Sequence, residues 1–230
     1  MVLHSGKRSA YCDSVTQDEW STGLVKVVAG EIKRWRKRRQ MSAQRLSNAC
    51  SELGFPIPRA VLANLENGRR DAISLPELLV IARALEVAPA LLVFPIGQTD
   101  KVEFLPGTVA SPWLAAQWFS GTEDLEDVVP HEDGRKWHRD GDLPIRLFLD
   151  HETVSREVLA ARGRASEAHT AAESAESDRE REAHRATAAS ADQTAQYAES
   201  TLGRVRSDMR DAGLTPPPLW PQLAHLEKGA

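Results

Sequence analysis

Between residues 21 and 94 apolar side chains recur at three- and four-residue intervals in short runs, each closed by Gly or Pro. That spacing sets one stripe of a 3.6-residue helix against a core. Val25, Val28, Ala29, Ile32 and Trp35 mark a first helix over residues 21–39. Ser42 is placed to cap a second helix, Met41 before it to pack on Leu46, and Gly54, Phe55 and Pro56 to break the chain after Leu53. Pro58 opens a third helix over 59–67, with Val61, Leu62 and Leu65 inward and Arg59, Ala60, Ala63 and Asn64 outward; Gly68 ends it. Ser74-Leu75-Pro76-Glu77 reads as a capping box, and Leu78, Ile81, Ala82 and Leu85 give the fourth helix its core face. A short fifth helix over 89–93 brings in Leu91, Leu92 and Phe94. The pattern predicts an all-α domain of five helices over residues 21–95, with a helix-turn-helix inside it.

The texture then changes. Residues 96–110 suit a short extended segment, and Ser111-Pro112 starts a small helix that Ser120-Gly121 ends, in a linker over 96–141. Trp113, Leu114, Trp118 and Phe119 are too apolar for a free linker and are expected to dock on the bundle or on a partner. The acidic stretch 123–142 holds His131, Glu132, Asp133, His138, Asp140 and Asp142 at spacings that match no metal-ligand motif, so no metal is expected. Residues 142–213 contain no proline after Pro144 and are rich in Ala, Glu, Arg and Ser, the pattern of a very long helix, about 100 Å if unbroken. Small or apolar residues follow heptad-like spacing at Val154, Val158, Ala161, Ala165, Ala168, Ala172 and Ala175, and again at Ala191, Ala195, Ala198, Leu202, Val205, Met209 and Ala212. The two sets are out of register, with Arg179 to Arg185 between them, so a stutter or hairpin bend belongs there. A coiled-coil homodimer, a hairpin and a single helix held by Glu/Arg pairs all satisfy this pattern, and the dimer is the expectation carried forward. Residues 1–20 and 214–230 lack periodicity and are expected to be mobile tails.

Charge separates the two parts. The 230 residues carry a net charge of -4, yet residues 26–70 hold eleven Lys and Arg against only Glu31, Glu52 and Glu66. A basic segment in an acidic chain points to a polyanion partner for that segment, although a basic helix is as often a solvated face. Cys12 and Cys50 lie far apart without CxxC or Cys/His spacing, so neither a disulfide framework nor a zinc site is indicated. With no apolar run long enough to span a bilayer and no secretory h-region, no membrane association is expected and the expected compartment is the cytoplasm. Arg and Ala are abundant and Lys scarce, as in proteins of GC-rich bacterial genomes. The chain has no phosphate loop, GxSxG, GxGxxG or HExxH, and therefore neither enzymatic activity nor a cofactor is expected.

The basic EIKRWRKRR, the capped MSAQRLS, a helix ending in LENGRR and the run SLPELLVIARALEVAPALLVFP together resemble the Cro/repressor-type, or xenobiotic-response-element type, helix-turn-helix family. The resemblance covers residues 24–95. It implies a bacterial transcriptional regulator, acting as a repressor-like dimer on double-stranded DNA, whose helix at 58–67 enters the major groove. By the same resemblance Arg59, Ala60 and Asn64 face bases, with Gln44 as a further base contact. Phosphate contacts need cations or free backbone N–H groups, which makes Ser42 at the second helix's N-terminus, Arg69, Arg70, Lys33, Lys37 and Arg38 the expected phosphate contacts. Arg36 is implied to pair with Glu66 and fix the first helix to the third. Two departures stand out. The family's usual Gln after the second helix cap is Ala43 here, with Gln44 beside it, and the segment 46–58 is longer than the family's usual turn. The competing expectation is a coiled-coil scaffold or interaction adaptor that uses the helical domain for docking. An effector or protein partner has two candidate surfaces, residues 111–120 and the long helix.

Overall fold

The computed structural model describes residues 17–123 and 143–229, which fall into two compact units, 1–137 and 138–230. The expected tail over 1–16, Cys12 and most of the acidic stretch 123–142 lie outside the described residues.

The first unit begins with α1 (Gln17–Arg38), followed by α2 (Ala43–Glu52), α3 (Arg59–Glu66), α4 (Leu75–Leu85) and the single turn α5 (Ala90–Val93). Helix α1 starts four residues before the expected boundary, so residues 17–20 are helix and not tail. The amphipathic stripes meet in one core. Val28, Ala29 and Ile32 of α1, Leu46 and Cys50 of α2, Leu62 and Leu65 of α3, Ile81, Ala82 and Leu85 of α4 and Leu92 of α5 are buried together, with Trp35, Met41, Ile73 and Leu78 half-buried around them. Side chains of this size stabilise by about 1.5–3 kcal/mol each when taken out of water.

The ends of these helices are chemically specified. The Ser42 hydroxyl accepts from the Arg45 N–H at 3.1 Å, and Ser74 and Glu77 close a reciprocal capping box at the start of α4. Between α2 and α3 the chain turns at Gly54, whose φ of +83° is open to glycine at little cost. Ile57 then drops back into the core at 3% exposure, and the buried Ser47 hydroxyl donates to its carbonyl at 2.6 Å. The long turn is thus pinned to α2 just before α3 begins.

Residues 96–123 make a second small core. A two-stranded antiparallel hairpin, β1 (Val102–Leu105) with β2 (Thr108–Ala110), precedes α6 (Pro112–Phe119). This hairpin adds strand to an otherwise helical unit, where one extended segment was expected. Phe94, Val102, Phe104, Ala110, Ala115 and Ala116 are buried together, Phe94 meets Phe119 edge-on at 5.5 Å, and Phe104 meets Trp118 at 5.2 Å. Ala90 and Val93 of α5 pack against this second core, and α1 also contacts β1.

In the second unit the expected long helix is two, α7 (Leu143–Ser174) and α8 (Asp178–Asp211), folded back on one another as an antiparallel hairpin. The bend lies at 175–177, just ahead of the Arg179–Arg185 stretch. Ser177 and Glu180 form the capping box that starts α8, and Arg181 donates to the Ala175 carbonyl at 3.0 Å. The two out-of-register sets face each other: Val158, Ala161, Ala165 and Ala172 are buried on α7, and Ala188, Ala195, Ala198, Leu202 and Met209 on α8. Arg162 with Glu199, and His169 with Asp192 at 2.8 Å, pair along the edges. Residues 214–229 are no free tail, because Leu219 and Leu223 pack against Val158 and Leu202, and a 3₁₀ helix spans Pro221–Gly229.

Candidate nucleic-acid interface

Helix α3 turns one face to the core and leaves another in solvent. Leu62 and Leu65 are buried, whereas Arg59, Ala60 and Asn64 are exposed and Ala63 is half-buried. At its far end Gly68, with φ of +67°, reverses the chain, and the Arg69 N–H donates to the Asn64 carbonyl at 2.9 Å. The outward set therefore offers a guanidinium, a methyl and an amide over little more than one helical turn.

Arg36 holds this helix in place. Its Nε donates to Glu66 Oε1 at 2.6 Å and its Nη2 to Oε2 at 2.5 Å, in the fork geometry that suits guanidinium to carboxylate. The remaining Nη1 donates to the Met41 carbonyl at 2.7 Å, tying the α1–α2 turn into the same contact. Both side chains are largely buried, at 13% and 6% exposure. Hydrogen bonding to Glu66 raises the Arg36 pKa above its ordinary value, against the opposing effect of burial.

The expected phosphate-facing residues do not share one environment. Lys37, Arg38 and Arg69 are exposed and Lys33 is half-buried. Arg38 lies over the Trp35 ring at 5.1 Å, and Arg34 over the same ring at 4.6 Å while its guanidinium pairs with Glu31. The charge run KRWRKRR did not disclose that its tryptophan would bracket two of its cations. The Ser42 hydroxyl is spent as the α2 cap, leaving the other first-turn N–H groups of a helix without acidic residues there. Gln44 is exposed and donates to Asn48 Oδ1 at 2.9 Å.

Arg70 is the main departure from the expected set. It donates through both terminal nitrogens to Glu77, at 2.7 and 2.8 Å, and so is engaged in holding the start of α4. The Glu77 carboxylate also accepts from the Ser74 N–H at 2.8 Å. The Arg70 contact first, then the Ser74 bonds, hold its pKa below the usual carboxylate range against the opposing effect of burial. Sequence reasoning missed this pair because Arg69 and Arg70 are equivalent as letters, and only the turn after Gly68 separates them.

Arg39 and Arg45 were not singled out from sequence. Arg39 donates to the Leu85 and Glu86 carbonyls at 3.1 Å and caps the end of α4, whereas Arg45 is exposed on α2. Among the described residues no group of three or more His, Cys, Asp or Glu side chains could hold a metal ion, and no helix is long and apolar enough to cross a membrane. No family model, curated protein or solved structure matches the chain.

Proposed function

We propose that residues 24–95 are a Cro/repressor-type DNA-binding domain and that the protein is a sequence-specific transcriptional regulator. The observation that carries this reading is the Arg36–Glu66 fork, implied by the resemblance and made at 2.6 and 2.5 Å, on a helix whose opposite face presents Arg59, Ala60 and Asn64 to solvent. A helix so anchored can enter a major groove without losing its orientation. In this reading Arg59 donates to guanine O6 and N7, Asn64 pairs with adenine N6 and N7, and Ala60 packs on a thymine methyl. Lys37, Arg38, Arg69 and the α2 N-terminus take phosphates, and Arg70 acts indirectly by fixing α4.

The heptad seam on which the expected coiled-coil homodimer rested is buried between α7 and α8 of the same chain, so the proposed regulator does not draw on it for dimerisation. Titration of the full chain against a labelled random-sequence duplex at two salt concentrations tests the proposal. Binding that weakens steeply with salt is expected, with a log–log slope of about -3 for three or four phosphate contacts. Absence of binding at low salt would reject it.

A further inference from the structure

At the open end of the α7–α8 hairpin a pocket of about 510 Å³ is walled by Ile145, Phe148, Leu149 and Trp220, with His151 and Ser155 also lining it. Its size is that of a small-molecule site, and its mixture of apolar walls with a few polar groups is the usual one. The four wall residues are each 37–42% exposed, an unusual position for large apolar side chains in a helix pair that otherwise buries mostly alanine.

The polar residues are what separate this pocket from a merely greasy groove. Ser155 is 3% exposed, and its hydroxyl is cut off from bulk water with no hydrogen-bond partner. Such an orphan is costly, and native structures rarely keep one without use. His151 is 5% exposed and receives a hydrogen bond at Nε2 from Arg206 Nη1 at 3.0 Å. Arg can only donate, so Nε2 is the acceptor and the proton of the neutral ring sits on Nδ1. Arg206 itself is 8% exposed, donates also to the Pro217 carbonyl at 2.8 Å, and has an unpartnered Nε. Neither of these partners carries negative charge. One acid lines the pocket, Glu152, which is exposed and paired with Arg156; Glu227 acts electrostatically on Arg206, opposed by Arg210.

We propose that this pocket binds a small apolar carboxylic acid, its hydrocarbon body against Phe148, Leu149 and Trp220 and its carboxylate toward the Ser155 hydroxyl and the His151–Arg206 pair. The apolar walls supply affinity. The buried donors and the cation behind them select an anionic head over a cationic one, because an ammonium group would meet like charge and leave the donors unpaired. The assignment is independent of DNA binding by the first unit.

Calorimetric titration of the full chain with octanoate, 1-octanol and octylammonium tests it. Octanoate is expected to bind saturably, one per chain, and at least about tenfold tighter than octylammonium, the scale of one hydrogen bond to a charged group. Ser155→Val is expected to weaken octanoate binding by about tenfold without lowering thermal stability, since it removes an orphaned hydroxyl. Leu149→Glu, on the exposed rim, is expected to abolish binding of octanoate while leaving the helical circular-dichroism signal intact. Equal affinity for octanoate and octylammonium, or no effect of Ser155→Val, would overturn the assignment of the head group. No saturable octanoate binding, with a wild-type dimer that Leu149→Glu dissociates, would overturn the proposal and give the pocket to a second copy of the chain.

Discussion

Single side chains carry much of the specification in this protein, and Arg36 is the clearest case. Removing one partner of a largely buried pair leaves the other charge without compensation, so Arg36→Ala should cost about 3 kcal/mol in a urea unfolding experiment on the full chain. A loss below about 1 kcal/mol would mean that the Arg36–Glu66 fork does not hold α1 to α3. Cys50 gives a second test. Burial pushes its thiol up to about 11, so in a Cys12→Ser background it should resist a thiol reagent at neutral pH until the domain unfolds. Rapid labelling of the folded protein would contradict its place in the core. His151 gives the third. Burial first, and then the charge of Arg206, hold its imidazole below the ordinary value. A depressed histidine pKa in the folded state means that the unfolded chain takes up the proton more readily. Its contribution is therefore complete above the unfolded value of about 6.5 and declines as pH falls from there toward the folded value. The thermal midpoint of the second unit should fall between pH 7 and pH 5.5, and His151→Phe should flatten that slope. Glu77 is also depressed but acts in a lower window, opening near the unfolded carboxylate value of about 4.3, and does not confuse the measurement.

At the scale of elements, the sequence was legible wherever a helix carries both a stripe and a cap. Ser42 and Ser74 announced α2 and α4, and Ile32, Leu46, Leu62 and Leu85 were readable as core because each sits on the apolar face of its own helix. The Arg36–Glu66 fork was legible only through the family resemblance, since thirty residues separate the partners and no local spacing links them. Four things were illegible for physical reasons. The hairpin of β1 and β2 is two short strands of a few residues, too brief for alternation to show. The fate of Arg70 depends on the turn after Gly68, and the docking of residues 214–229 depends on Leu219 and Leu223 meeting a surface formed far upstream. Heptad spacing could not tell a partner chain from a partner helix, because both present the same alanine seam. Deleting residues 214–230 should lower the thermal stability of the hairpin, since it exposes Val158 and Leu202, by about 2–4 kcal/mol for the burial lost. An unchanged midpoint would show that these contacts contribute nothing.

For the whole molecule, an overall charge of -4 hides a basic segment over residues 26–70, and the proposed function rests on what that segment does with DNA. The most direct measurement begins with selection of a preferred duplex from a random pool, followed by titration of wild type, Arg59→Ala and Arg69→Ala on that duplex and on random DNA. O6 and N7 together mark guanine, whereas phosphates are alike at every sequence. Arg59→Ala should therefore cost about 1–3 kcal/mol on the selected duplex and much less on random DNA. Arg69→Ala should weaken both alike and reduce the salt slope by about one unit. Equal losses for Arg59→Ala on the two duplexes, or failure of the selection to yield any preferred sequence, would contradict base reading by α3.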